Sequence, residues 1–199
     1  MRVLMVASEA DPFIKTGGLG DVIGALPQAL NNEEVEIRVI VPKYKNMNYG
    51  FSKNLEFIKY FFVDVGWRRQ YCGIFNCIYK DVEYYFIDNE YYFNRDNLYG
   101  YYDDAERFIF FNKAVLEFVR EMNWIPDIIH CNDWQTGMIP VLHKLEYIKE
   151  EKFKNVKTIF SIHNLFFKGM FDSQVLPELF GYDYEAFNNG TLELYGAMS

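Results

Sequence analysis

Cysteine is scarce in this 199-residue chain: there are three, Cys72, Cys77 and Cys131. They are an odd number without metal-ligand spacing, so they read as free thiols of a reducing compartment rather than as a disulfide framework or a zinc site. Long hydrophobic runs are missing too; none approaches the roughly 20 residues that span a membrane. The N-terminal run MRVLMVASEA enters a strand pattern directly, without the charged leader and small-residue cleavage site of a secretory signal. A soluble, cytoplasmic protein with no membrane partner is expected. Positive charge is in deficit: 20 Lys and Arg stand against 28 Asp and Glu, a net charge of -8 and a pI of about 4.9. That argues against nucleic acid as a partner, whose binders usually carry a basic patch or stripe. A neutral polymer needs no electrostatic attraction and is compatible with the acidity. No internal repeat, low-complexity tract or linker divides the chain.

What is present is apolar and aromatic. Half the residues are hydrophobic and 19% are aromatic, with 16 Tyr and 19 Phe. The length is ample for a buried core. Aromatic faces also suit the flat C–H patches of pyranose rings, but most of these rings lie in alternating runs and belong to the core.

Residues 3–7 form a short apolar run, as in a strand buried on both faces. Glycines follow at 17, 18 and 20, then a helical stretch over 21–30 and a second strand over 35–41 ended by Pro42. Strand, glycine turn, helix, strand is a βαβ unit. Residues 57–65, 71–79 and 82–87 read as hairpin-connected strands inserted in or beside the main sheet, and 89–102 as a loop. From Asp104 the spacing of Phe108, Phe111, Val115, Phe118, Val119 and Met122 predicts a helix, with Asp103 or Asp104 as its N-cap. A strand over 128–131, a helix over about 135–145 and a strand over 158–162 complete the pattern. Strands alternating with helices predict an α/β fold, a doubly wound parallel sheet with β-hairpins inserted in or beside it.

Ligands of such sheets sit beyond the carboxyl ends of the strands, and three ends here carry chemistry. The first is Lys15-Thr16-Gly17-Gly18-Leu19-Gly20-Asp21. Glycines admit close backbone approach, helix N–H groups suit an anion, and Lys15 adds a positive charge, so a diphosphate is the expected guest. A dinucleotide fingerprint fails, because Gly24 falls one residue late for G-x-G-x-x-G, and Pro42 and Lys43 replace the acid expected after strand two. No Gly-Lys-Ser/Thr makes it a Walker loop. The second is His130-Cys131-Asn132-Asp133-Trp134-Gln135-Thr136-Gly137, where Asp133 could equally cap the next helix and Trp134 could simply pack. The third is Ser161-Ile162-His163-Asn164-Leu165, running on to Gly169-Met170-Phe171.

Lys15-Thr-Gly-Gly-Leu, His130-x-x-Asp133-Trp134 and His163-Asn164-Leu165, in this order, resemble bacterial glycogen synthases and plant starch synthases. Ala7-Ser8-Glu9, Asp21-Val22-x-Gly24-Ala25-Leu26-Pro27 and Gly169-Met170-Phe171 strengthen the match, which covers essentially the whole chain. The resemblance implies that residues 1–199 are most of the N-terminal Rossmann-like domain of a GT-B glycosyltransferase, stopping short of its end. It also implies that a nucleotide-gripping C-terminal domain lies elsewhere. The activity implied is transfer of glucose, with retention, from ADP-glucose to the non-reducing end of glycogen or another α-1,4-glucan. This stretch alone is expected to be inactive.

By that resemblance Lys15, Thr16, Gly17 and Gly18 approach the donor phosphates. His163 contacts the donor glucose with Asn164 beside it, and Asp133 sits at the catalytic centre supported by His130 and Trp134. Asp21 lies near the sugar or acceptor end. Phe93-Asn94-Arg95 falls where some members read Tyr-Asp-Arg, a departure at two positions. No metal or other cofactor is expected: there is no Asp-x-Asp motif and no His/Cys ligand set. The diphosphate must then be stabilised by Lys, Arg and oriented N–H groups. Two other readings stand beside this one, a related glycosyltransferase with another donor and a non-catalytic glucan-binding module.

Overall fold

The computed structural model describes residues 1–183, 185–190, 192–195 and 197–198. The chain begins with β1 (Arg2–Val6), α1 (Gly18–Leu30) and β2 (Glu36–Pro42), then a single helical turn, α2 (Tyr49–Ser52). Three strands follow, β3 (Glu56–Val65), β4 (Arg68–Tyr79) and β5 (Val82–Asp88). After them come the short helix α3 (Glu90–Phe93), the long helix α4 (Asp104–Glu121), β6 (Ile128–Asn132), α5 (Met138–Leu145) and β7 (Lys157–Ser161). A π-helical turn over Leu176–Phe180, a short helix α6 (Glu185–Asn188) and two antiparallel two-residue strands, β8 (Glu193–Leu194) and β9 (Ala197–Met198), complete it.

The seven-stranded sheet runs β3-β4-β5-β2-β1-β6-β7. Neighbours from β5 to β7 pair in parallel, while β4 and β3 add antiparallel to the edge. This is the expected Rossmann-like sheet, and it locates the aromatic stretch. β5 belongs to the parallel set through β2, and β3, β4 and β5 are joined by two successive hairpins that place β4 and β3 at the edge of the same sheet. The chain builds outward from β1 through β2 to β5, then returns by α4 to place β6 on the other side of β1. The reversal puts a topological switch point between β1 and β6, where the carboxyl ends of the strands part and ligands bind in such sheets.

The core explains the order. Val3–Val6, Ile37, Val39–Val41 and Tyr84–Ile87 are all buried, as strands covered on both faces must be. Phe13, in the loop after β1, sits among the rings of Phe51, Tyr79, Tyr84 and Phe86 at centroid distances of 4.7–5.7 Å. Such pairs add about 0.5–1.5 kcal/mol each beyond their buried area. Tyr85, one residue on from Tyr84, faces the opposite way and meets Phe118 of α4 at 4.7 Å, as strand alternation requires. Of the apolar positions predicted in α4, Phe108, Phe111, Val115, Phe118 and Val119 are buried and Met122 is half-buried just past the helix end, while Phe110, Ala114 and Leu116 are buried as well. α4 is covered on more than one side because β3 and α5 both pack on it.

Two local expectations are corrected. Asp103 stands at the N-cap of α4 without capping it: its carboxylate takes both guanidinium N–H groups of Arg95 at 2.6 Å. Asp104 accepts from Gly100 N–H at 2.7 Å and pairs with Arg107 at 2.5 Å. A bidentate pair with a guanidinium outcompetes a cap to a single main-chain N–H. Residues 89–102 are also more ordered than a loop. Asn89 caps α3 by accepting from Tyr92 N–H at 3.1 Å. The wholly buried Arg107 donates to the carbonyls of Tyr92 (2.8 Å) and Leu98 (3.1 Å), because a buried guanidinium must find acceptors. This fastens the segment against α4. Among the described residues no helix is long and apolar enough to cross a membrane.

Candidate active site at the strand ends

All three sequence motifs lie at the carboxyl ends of β1, β6 and β7, which are adjacent parallel strands. In the loop after β1 the controlling residue is Glu9, buried at 4% exposure. Its Oε2 accepts the main-chain N–H of Thr16 and, at 3.3 Å, that of Gly17, while its Oε1 accepts the Tyr99 hydroxyl at 3.0 Å. Tyr99 is a firm donor, since burial holds its phenol far above the ordinary value, and Ser8 Oγ lies 2.7 Å beyond it. An internal carboxylate therefore already takes two main-chain N–H groups of the glycine turn.

What remains open is the start of α1, which lies three residues before the predicted boundary and lacks a side-chain cap. Its first turn has the unsatisfied N–H groups of any helix start. The glycines divide by what surrounds them. A Cβ on Gly17 or Gly18 would meet nothing within 4 Å, whereas one on Gly20 would strike Lys15 Cβ at 2.4 Å and one on Gly24 the Asp11 carbonyl at 2.7 Å. Gly20 and Gly24 serve packing; Gly17 and Gly18 border free space. Lys15 Nζ is bridged to Asp21 at 2.6 Å and Asp11 at 3.3 Å. Those hydrogen bonds raise its pKa, Asp21 first and then Asp11, so the ammonium stays charged, and Asp21 is its nearest carboxylate.

The ends of β6 and β7 are joined through Asp133. This residue is buried and holds φ +59° and ψ 174°, a sparsely populated conformation for a non-glycine residue. Its carboxylate accepts the main-chain N–H of His163 at 2.6 Å and of Asn164 at 3.4 Å, and its own N–H donates to the Ser161 carbonyl at 2.9 Å. The helix-cap reading of Asp133 is corrected: no side-chain cap forms, and its carbonyl alone starts the 3₁₀ turn Trp134–Thr136 that precedes α5. His163 Nε2 lies 2.8 Å from Asn132 Oδ1, and His130 Nε2 lies 2.8 Å from Ser161 Oγ. Burial lowers the His130 pKa, and the nearby His163 lowers it further.

Trp134 belongs to a different environment. Its indole packs on Phe108 at 5.1 Å and Phe171 at 5.6 Å, directly over Gly169, whose φ of +61° and lack of a Cβ admit the ring. A cavity of about 350 Å³ lies here, its lining including Asp133, Asn164, Phe167 and Phe171. It is apolar, so it suits a nonpolar surface and not a diphosphate.

The structure thus gathers Asp133, His163, Asn164 and His130 into one cluster and Lys15, Thr16, Gly17, Gly18 and Asp21 into another. Trp134 is set in the packing behind the first. Two further participants, Glu9 and Asn132, escaped the assignment of roles. Their signal was position alone: Glu9 lies in the polar stretch just after β1, and Asn132 lies in the polar stretch that begins at the end of β6. Among the described residues no group of three or more His, Cys, Asp or Glu side chains comes together in a way that could hold a metal.

The chain is 60% identical over 199 residues to glycogen synthase of Clostridium perfringens, covering all of this chain and 41% of that protein. It is 47% identical over 203 residues to glycogen synthase of Clostridioides difficile, covering all of this chain and 42% of that one. Among solved structures it resembles the catalytic domain of starch synthase IV from Arabidopsis thaliana bound to ADP and acarbose. That match has a TM-score of 0.85 and 29% identity, covering 94% of this chain and 38% of the other. The chain spans about two fifths of the length of the curated relatives it matches. Residues 2–199 match the family described as starch synthase catalytic domain, and the chain belongs to that family.

Proposed function

We propose that this chain is the N-terminal part of a glucosyltransferase that lengthens an α-1,4-glucan such as glycogen from ADP-glucose, with retention at the transferred carbon. The observation that carries the reading is the meeting of two chemistries at one switch point. A charged lysine beside uncovered glycines and a helix start suits a diphosphate, and a clamped His163–Asn164 pair on Asp133 suits a sugar. The relatives named glycogen synthase and the neighbour bound to ADP and acarbose support donor and acceptor alike.

In this reading Lys15 and the N–H groups of the first turn of α1 stabilise the leaving diphosphate. Preorganised donors of this kind contribute on the order of 3 kcal/mol each. His163 and Asn164 orient the donor glucose, Asp133 holds them, and Asp21 lies toward the acceptor. His130 and Trp134 support the cluster. Residues beyond this stretch supply the remaining contacts to the nucleotide, as the length of the relatives suggests, and residues 1–199 alone are inactive. We place the reaction in the cytoplasm, consistent with three unpaired cysteines.

The test uses the full-length protein with glycogen and either ADP-glucose or UDP-glucose, following nucleoside diphosphate release together with glucan lengthening. Lengthening with ADP-glucose supports the reading. Release without lengthening would point to another acceptor, and lengthening only with UDP-glucose would overturn the donor assignment.

A further inference from the structure

Asn132, the last residue of β6, is 1% exposed, and its amide is satisfied on every side. Nδ2 donates to the Val6 carbonyl of β1 at 3.1 Å and to the His130 carbonyl at 3.0 Å. Carbonyl oxygens only accept, so these two bonds settle which end of the amide is nitrogen. The other end, Oδ1, therefore faces His163 Nε2 at 2.8 Å, and an amide oxygen can only accept. Nε2 must then carry the proton. In the neutral ring that leaves Nδ1 with its lone pair, and no described residue bonds it.

We propose that Asn132 is a positioning residue that holds neutral His163 as the Nε2–H tautomer and so presents Nδ1 as a hydrogen-bond acceptor to a hydroxyl of the bound sugar.

The backbone makes this arrangement possible. Consecutive residues of a strand point to opposite faces, so Asn132 and Asp133 would ordinarily not reach the same partner. The positive φ of Asp133 breaks the alternation at the end of β6. The Asn132 amide then grips the His163 ring while the Asp133 carboxylate grips its main-chain N–H. The exposed imidazole is thereby fixed at two points from buried residues, one of which is also tied to β1. A second hydrogen bond on one ring nitrogen is the usual way a protein sets which nitrogen is free to act. The sugar as the hydroxyl's source rests on the transferase reading above; the tautomer does not.

The experiment records nitrogen spectra of the full-length protein labelled with ¹⁵N-histidine, at about pH 8, well above the ordinary imidazole range. The His163 signals are identified by their loss in His163→Gln. The expected result is a protonated-type Nε2 and an unprotonated-type Nδ1. A protonated Nδ1, or an even mixture, overturns the proposal whatever the enzyme does, even if no glucan is lengthened. In Asn132→Leu, which removes the acceptor, the two tautomers should mix and kcat should fall on the order of a hundredfold. Asn132→Asp keeps an acceptor while losing the donors to Val6 and His130, so its His163 should remain Nε2–H even if the fold is less stable. An Asn132→Leu protein with an unchanged tautomer and unchanged turnover, or an Asn132→Asp protein whose tautomer is lost, would overturn it.

Discussion

The Asp133 carboxylate accepts the main-chain N–H of His163 at 2.6 Å. This one contact ties the end of β6 to the loop after β7, and it occupies the side chain that would otherwise cap a helix. Removing it should therefore loosen a loop rather than shorten a helix. Asp133→Ala is expected to lower stability by about 1.5–3 kcal/mol, the range for hydrogen bonds to a charged group, and Asp133→Asn by less. The measurement is the urea midpoint of the full-length protein; helical circular dichroism lost in step with it would contradict the assignment.

Lys15 is half exposed and bridged only to exposed or partly exposed carboxylates, so it contributes little to the fold. Lys15→Gln should leave the melting temperature unchanged while lowering glucose transfer on the order of a hundredfold, as for loss of one preorganised donor to a developing charge. If kcat/KM for the donor is retained, the phosphates lie elsewhere.

The glycines of the first motif should separate into two kinds. Gly24→Ala forces a Cβ to 2.7 Å from the Asp11 carbonyl and is expected to destabilise by about 1–3 kcal/mol. Gly18→Ala meets nothing and replaces glycine in a helix, so the protein should fold at least as well while binding donor more weakly. Thermal melts and donor KM, measured on both variants, check the pairing. Equal loss of stability in the two would refute it.

Gly169→Ala should disturb Trp134. A Cβ there would stand 2.4 Å from the indole, at a φ of +61° that side chains rarely adopt. Near-ultraviolet circular dichroism should change together with a stability loss of about 1–3 kcal/mol. An unaltered tryptophan signal would show that the ring is not seated on this glycine.

Stability should also depend on pH through His130. Burial, then the neighbouring His163, lowers its folded pKa, so the unfolded chain takes up a proton first as pH falls. The stability this group contributes is complete above the ordinary imidazole range and declines as pH drops through it toward the lower folded value. Ser161 faces the ring at 2.8 Å and supplies no charge to offset this. His130→Gln should flatten the slope of unfolding free energy against pH below about 6.5; an unchanged slope would assign it to another group.

Much of the sheet was legible in the residues because the signals are local. The double-sided burial of β1 appears as the run Val-Leu-Met-Val, and the spacing of phenylalanines in α4 appears as one helical face. Chain order and strand alternation then required a parallel, doubly wound arrangement. The three chemical motifs were equally visible, since each follows a buried strand directly.

Pairing across the sheet was not legible. Asp103 and Asp133, each read as able to cap a helix, found partners that local spacing does not reveal. Arg95 lies eight residues from Asp103 and His163 thirty from Asp133. A carboxylate follows the donors that packing brings near, and a bidentate guanidinium or two main-chain N–H groups outweigh a cap to a single N–H. Glu9 beneath the glycine turn and Asn132 beside His163 belong to the same class. Composition and periodicity sufficed to set the elements and their order, because burial repeats along the chain. Which polar atom meets which was decided only when β1, β6 and β7 came side by side, because hydrogen bonds depend on distance in space and not on separation in sequence.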